Sequence, residues 1–260
     1  MKTLRLIALA VRYHWDSQKS NPMNLFAAVF GMILNNAIVL WGLWAMLFDG
    51  KPDARELTVY FVALNGMLTI AWGSVCFFLG GLHSLGHYVD EGALEPMLST
   101  PRHPLVMAGI SDSMAPALGD IIQGILNIGV LLWIASPAET LRCLLFTSIC
   151  ATGVVGLFIL TGSVPFFVKR GNNLALLLRE VCLSLSFYPM GKVFTTSGRF
   201  LLYITPAAVT GFLPITAIES GSWSDAIIAV GAAGAFLIVS IKVFALGLQR
   251  YQTASYVTAR

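Results

Sequence analysis

Long apolar segments joined by short polar connections constrain the fold of this chain more than any other feature. Of its 260 residues, 57% are hydrophobic and 11% are charged, whereas a soluble domain of this length carries about 25% charged residues. A helix that crosses a bilayer needs roughly 20 mostly apolar residues. The sequence therefore predicts an all-α integral membrane protein and gives no support for nucleic-acid binding.

Six segments are predicted to cross the membrane as helices. They lie at about 24–48, 57–82, 105–136, 141–168, 174–189 and 225–248. Because no internal repeat or second domain is evident, residues 1–260 are expected to form a single transmembrane domain.

The first residues, 2–19, are predicted to form an amphipathic helix at the membrane interface. Its apolar residues recur at helical spacing, and its basic residues fall largely elsewhere on the helix. The apolar set is Leu4, Ile7, Ala8, Val11 and Trp15. An ordinary basic tail is the alternative. A cleavable signal peptide is not expected, since no continuous apolar stretch precedes a small-residue cleavage site.

The distribution of Lys and Arg predicts the orientation. Eleven of the sixteen basic residues fall on the side of both termini: Lys2, Arg5, Arg12, Lys19, Arg102, Lys169, Arg170, Arg179, Lys242, Arg250 and Arg260. Cytoplasmic connections carry the excess of Lys and Arg, so both termini are expected in the cytoplasm.

The segment between the fifth and sixth predicted spans does not read as a simple loop. Tyr188 and Pro189 end a helix, and the apolar run at 200–204 is too short to cross a bilayer. Irregular backbone at membrane depth is tolerated only where protein or a water-filled cavity covers it. We therefore expect a re-entrant helical hairpin over 190–214 at the outer face.

No enzyme motif is present. The chain lacks a phosphate-binding P-loop, a metalloprotease HExxH and a serine-hydrolase elbow, which disfavours a lipid-modifying enzyme. His83 and His87 lie one helical turn apart near Asp90 and could bind a metal, but two hydrated interfacial histidines are the simpler interpretation. We expect no catalytic residue and no metal site. The four cysteines are interpreted as packing residues.

Neutral amides occupy the middle of the predicted spans. Asn35, Asn36, Asn65 and Asn127 are candidates for lining a transport path, although hydrogen bonding between helices is their commoner use. The charged candidates fall in the cytoplasmic portions of the third and fifth spans: Asp112, Asp120, Arg179 and Glu180. This placement favours a passive channel-forming subunit over a carrier with its own proton relay.

The connection at 83–104 contains a short amphipathic segment. A glycine turn at Gly92 precedes an apolar stripe of Leu94, Met97 and Leu98 and a breaker at Pro101. Such a helix could seat in the groove of a soluble partner or lie on lipid.

Two motifs resemble a known family. The first is Gly92, Leu94, Glu95, Met97, Leu98 and Pro101, and the second is Tyr188, Pro189, Phe194, Arg199, Ile204, Pro206 and Pro214. In order and position, they resemble the six-span bacterial branch of type-2 ABC exporter permeases, the ABC-2 family transporter proteins. Glu95 stands where that family often has Asp, which keeps the charge.

The resemblance implies a function and partners. The first motif would couple the chain to a separate ABC ATPase subunit, and the second would form an outer gate. ATP and Mg²⁺ would bind the ATPase, with no cofactor on this chain. A second permease, identical or different, would complete the path in the lipid of a bacterial inner membrane. A secondary transporter or channel independent of an ATPase is the alternative.

Overall fold

The computed structural model describes residues 2–48, 50, 52–193, 200 and 202–258. Within those ranges the chain is helical and contains no β-strand. Phe194 and Arg199 of the predicted gate lie outside the described residues. The helices are α1 (Lys2–Lys19), α2 (Pro22–Phe48), α3 (Ala54–Phe78), α4 (Leu85–Asp90), α5 (Glu95–Leu98), α6 (Pro104–Ile110), α7 (Ala117–Ile134), α8 (Pro137–Gly162), α9 (Asn172–Phe187), α10 (Met190–Val193), α11 (Leu213–Ser220) and α12 (Trp223–Thr258).

Five of the described helical segments are long and apolar enough to cross a membrane. They are Pro22–Leu47, Ala54–Phe78, Ala117–Ile134, Pro137–Phe166 and Trp223–Tyr251. The predicted fifth span corresponds to α9, which has 16 residues and a length of about 24 Å. Tyr188 ends α9 in an extended conformation, as expected for a residue that precedes proline.

Predicted boundaries differ from the observed helices at several points. The third span was expected to start near 105, but a break after α6 delays α7 to Ala117. Pro116 lies at this break and has no amide hydrogen for a helical bond. The second span ends at Phe78 instead of 82, where a 3₁₀ turn over Gly80–Leu82 follows. The last helix continues through the polar tail, to Thr258.

The packing centre of the described chain is α3. In its most apolar stretch 78% of the residues are buried, against 6% for α2. A close approach between α3 and α7 requires Gly124, because a Cβ there would lie 2.4 Å from a side-chain carbon of Ile70. Small residues serve this purpose in membrane helix pairs, where backbone proximity replaces the hydrophobic effect.

The first helix, α1, turns one side toward this bundle. Val11 and Trp15 pack against the main apolar core, while Leu9 and Tyr13 are exposed. His14 bonds the carbonyl oxygen of Ile110 at 3.0 Å, which attaches α1 to the end of α6. One side of α1 therefore packs against its own chain.

The segment after α9 is mostly helical where it is described, and residues 207–211 are buried. A π-helical turn over Ala208–Phe212 leads into α11, which ends at Gly221 in the left-handed conformation. The predicted hairpin stopped at Pro214, but Pro214 lies in the first turn of α11, where proline is tolerated. A hydrogen bond of 2.5 Å joins the hydroxyls of Ser186 and Thr210, so the turn is fixed to α9.

Candidate transport cavity and coupling segment

A cavity of about 450 Å³ lies among α2, α3, α7 and α9. All four asparagines predicted as path-lining, namely Asn35, Asn36, Asn65 and Asn127, contribute to its wall. The other lining residues are Met32, Val39, Leu40, Leu43, Thr69, Trp72, Asp120, Gln123, Glu180, Leu183, Ser184, Phe187 and Tyr188. The structure therefore brings these distant amides together around one space.

The four asparagines differ in what they bond. Asn36 of α2 donates to the carboxylate of Asp120 on α7 at 2.6 Å, which joins the two helices. Asn65 donates to a backbone carbonyl of its own helix at 3.0 Å. Asn35 contacts Asn36 only at 3.5 Å. Asn127 accepts from Gln123 at 3.0 Å, and its own amide nitrogen has no partner.

Asp120 is one of the cavity residues that the sequence did not assign to a path. It is only 5% exposed, and it shares one face of α7 with Gln123 and Asn127. The spacing i, i+3, i+7 places all three on one side of a helix. That spacing of polar residues within an apolar span was the available signal.

The predicted coupling motif forms a compact turn and a short helix. Gly92 has φ of +74°, a conformation that favours glycine, and α5 follows. Leu94 is fully buried, and Met97 and Leu98 pack against the chain's own core. The apolar stripe therefore faces inward instead of toward a partner. Glu95, like Pro101, is exposed beside this anchored stripe.

Three contacts tie this motif to the long helices. Arg179 of α9 donates to the carbonyl oxygen of His83 at 2.7 Å. The backbone amide of Asn172, at the start of α9, donates to Asp90 at 3.3 Å. The hydroxyl of Tyr251, near the end of α12, hydrogen-bonds Glu95. We refer to residues 80–101 with these contacts as the coupling segment.

The two histidines of the coupling segment have different environments. His83 is partly buried between the rings of Trp72 and Phe158. Burial, with a smaller contribution from the positive charge of Arg179, lowers the pKa of His83 to about 4. His87 is exposed. Among the described residues, no group of three potential ligands is placed to hold a metal ion.

At the opposite end of the bundle, Lys192 lies just after α9 and contacts two carboxylates. Its ammonium group is 2.7 Å from Glu219 of α11 and 3.4 Å from Glu56 of α3. It also lies 5.2 Å from the ring centroid of Tyr60. The sequence predicted a re-entrant hairpin over 190–214, but not that one lysine would join three elements.

The remaining predicted gate residues border these features. Tyr188 lines the cavity at its Lys192 end, and Pro189 follows it at the end of α9. Pro206 precedes the π-helical turn and Pro214 follows it. They mark the boundaries of the short helical pieces, which is the structural use of proline in this segment.

These features define a class of protein: a multi-pass, all-helical membrane protein with a polar-lined cavity between its long helices. A family model described as ABC-2 family transporter protein matches residues 54–255. The chain belongs to that family, which confirms the resemblance and makes it a transport membrane subunit, a permease, and not an enzyme. Searches of curated proteins and of solved structures found no match.

Proposed function

We propose that this chain is the permease subunit of an ABC exporter. A second permease chain completes the translocation path, and a separate ATPase that binds ATP and Mg²⁺ drives transport. The observation that carries the proposal is the coupling segment: its apolar residues anchor it inward, while the motif residue Glu95 stays exposed to a soluble partner. Exposed charge beside an anchored turn suits docking to a basic surface.

The contacts of the coupling segment supply a route from the ATPase to the cavity. Arg179 bonds the segment, and the next residue, Glu180, lines the cavity. A shift of the segment would therefore move α9 and change the cavity wall, in the manner of packed helices that slide as units. ATP-dependent pairing of the ATPases would select one of two arrangements by differential affinity.

The membrane arrangement is part of the same proposal. We place six spans across a bacterial inner membrane, with α9 as the fifth and both termini in the cytoplasm. The amphipathic α1 lies at the cytoplasmic interface, and residues 190–214 form the outer gate above Tyr188. The exposed apolar face of α2 and the adjacent α9 would meet the second permease, identical or different, so that the cavity lies along the path.

Charge reversal at Glu95 tests the proposal. Wild-type chain purified from its own host is expected to retain an ATPase subunit, and the reconstituted complex should hydrolyse ATP. Glu95→Arg should reduce ATPase recovery by roughly tenfold or more, because like charges across an interface cost several kcal/mol. Membrane insertion, measured by the yield of chain in the membrane fraction, should not change.

Tyr251→Phe is the matched control, since it removes the hydrogen bond to Glu95 but keeps its charge. It should recover the ATPase normally. Equal recovery with Glu95→Arg would remove the coupling role. A wild-type chain that transports without any ATPase would instead establish the secondary transporter or channel.

A further inference from the structure

The charged residues in the lining of the cavity are acidic. Its lining includes two carboxylates, Asp120 and Glu180, and no Lys, Arg or His among the residues that the structure describes. Glu180 is itself 3.7 Å from Arg179, whereas Asp120 has no cationic partner within 4 Å in the described chain. The buried carboxylate is the unusual member.

A buried carboxylate is costly unless charge or hydrogen bonds compensate it. Asp120 accepts one hydrogen bond from Asn36, and its place in the first turn of α7 gains from the helix dipole. A carboxylate offers about four acceptor sites, so one amide leaves capacity for a further donor. A cation in the cavity would supply both the donor and the compensating charge.

Asn127 gives an independent indication of a ligand. Asn127 is 4% exposed. Its side-chain oxygen accepts a hydrogen bond from Gln123, and its amide nitrogen has no hydrogen-bond partner. Buried polar groups in folded proteins are normally hydrogen-bonded, so this donor calls for an acceptor oxygen. Asn127 lies seven residues beyond Asp120 on α7, about 10 Å along the helix axis.

Apolar and aromatic side chains complete the wall between these polar points. Leu40 and Leu43 of α2 and Leu183 and Phe187 of α9 line the space, and Trp72 contributes an indole ring. Such a wall suits an apolar body, and an aromatic face also attracts cations.

We infer that the cavity binds an amphipathic organic cation, with its charged group at Asp120, its apolar body between α2 and α9, and an acceptor oxygen at Asn127. This assignment names the substrate class of the proposed exporter. Only the conclusion that the cation is transported rests on the proposed function. Binding itself needs neither the ATPase nor a second permease.

A matched pair of ions tests the charge preference. Equilibrium dialysis of the purified full chain in neutral detergent is carried out with tetraphenylphosphonium and with tetraphenylborate, which share size and apolar surface but have opposite charges. The cation is expected to bind at least about tenfold more tightly, and Asp120→Asn should remove most of this difference. Asp120→Glu should retain it, and Asp112→Asn, which alters an exposed carboxylate outside the cavity, should have no effect.

A second probe tests the acceptor site. A rhodamine ethyl ester carries a cationic ring system and a carbonyl oxygen, whereas tetraphenylphosphonium has no acceptor. Asn127→Ala should weaken rhodamine binding by roughly fivefold to tenfold and leave tetraphenylphosphonium binding unchanged. An equal effect on both probes, or no effect on either, would overturn the role of Asn127.

The outcomes separate this inference from the proposed function. Equal binding of the two ions, or an unchanged preference in a folded Asp120→Asn variant, overturns the cation site while ATPase recruitment still supports the exporter. A preference that depends on Asp120 in a chain that recruits no ATPase supports the cation site and rejects the exporter.

Discussion

The two ends of the helix bundle are each joined by one basic residue on or beside α9, but the two residues work in different surroundings. At the coupling end, Arg179 is 4% exposed and donates to the backbone carbonyl of His83. At the opposite end, the side chain of Lys192 is 24% exposed and contacts the carboxylates of two glutamates, of which Glu56 is 74% exposed.

The Arg179 contact is therefore expected to stay closed, whereas the Lys192 contact can open. Arg179 is buried, and its removal leaves a part-buried acceptor without its donor, so the contact is expensive to break. Ion pairs in contact with solvent contribute little net free energy, because water and salt replace the partner. We therefore expect the rigid Arg179 contact to transmit a movement of the coupling segment to α9. The weak Lys192 contact at the other end is expected to break.

The largest expected effect follows replacement of Arg179. Arg179→Met keeps an apolar stem of similar length but removes the donor to His83, and we expect a loss of about 3 kcal/mol in unfolding free energy. Thermal unfolding of the purified chain in detergent measures it, as a drop of several degrees. ATP hydrolysis in the reconstituted complex should become independent of substrate.

Glu180→Gln is the control for this change, since Glu180 is largely exposed and pairs with the same arginine. It should cost less than about 0.5 kcal/mol. Equal stability of Arg179→Met and the wild type would show that the coupling end is no more rigid than the other end.

The second largest effect is expected from low pH, which should destabilise the coupling end. The pKa of His83 is lowered to about 4 by burial and by Arg179, so the folded chain holds this ring neutral. The stabilising contribution is complete above the ordinary pKa of about 6.5 and is lost as the pH falls from 6.5 toward 4. We expect a loss of about 2 kcal/mol after allowance for the partial exposure of the ring.

Unfolding midpoints at pH 7.5 and 4.5 check this expectation. His83→Phe keeps the contacts with Trp72 and Phe158 and should reduce the acid effect, whereas His87→Gln, at an exposed position, should not. The same acid sensitivity in His83→Phe and the wild type would assign the effect to other groups.

The sequence predicted the helices better than it predicted the contacts of Arg179 and Lys192. Apolar length located five long helices, since hydrophobicity is a property of each segment alone. The 16-residue α9 shows the limit, because it is shorter than these five helices and buries only Ala175, Arg179, Leu183 and Ser186. The buried Arg179 was visible as an intramembrane charge, but its acceptor is 96 residues away at His83, and no local pattern encodes that distance.

The residues of the cavity were also predicted only in part. The sequence identified Asn35, Asn36, Asn65 and Asn127 as candidates from polarity within apolar spans, and the structure places them around one space. Asp120 was set aside because it falls in the cytoplasmic portion of the third predicted span. Its membership of the cavity depends on how α2 crosses α7, which tertiary packing decides.

The smallest effect is expected at Lys192. Burial lowers the pKa of Lys192, but the hydrogen bonds and charges of Glu219 and Glu56 outweigh it, so the pKa is raised overall. A raised lysine pKa stabilises the fold below the ordinary value and loses that contribution only as the pH rises through the folded value, so the pair should be insensitive to pH between 6 and 8. Lys192→Met should cost less than about 1 kcal/mol.

Salt distinguishes this contact from the one at Arg179. Raising NaCl from 0.05 to 0.5 M should reduce the difference between Lys192→Met and the wild type, because exposed ion pairs are screened. The difference between Arg179→Met and the wild type should persist, since the Arg179 side chain is buried and its acceptor is an uncharged carbonyl. Glu219→Gln should behave as Lys192→Met does, and Glu56→Gln, with its longer contact, should have less effect. A salt-independent loss of several kcal/mol at Lys192 would mean that both ends of α9 are fixed, and the release step would then have to lie elsewhere.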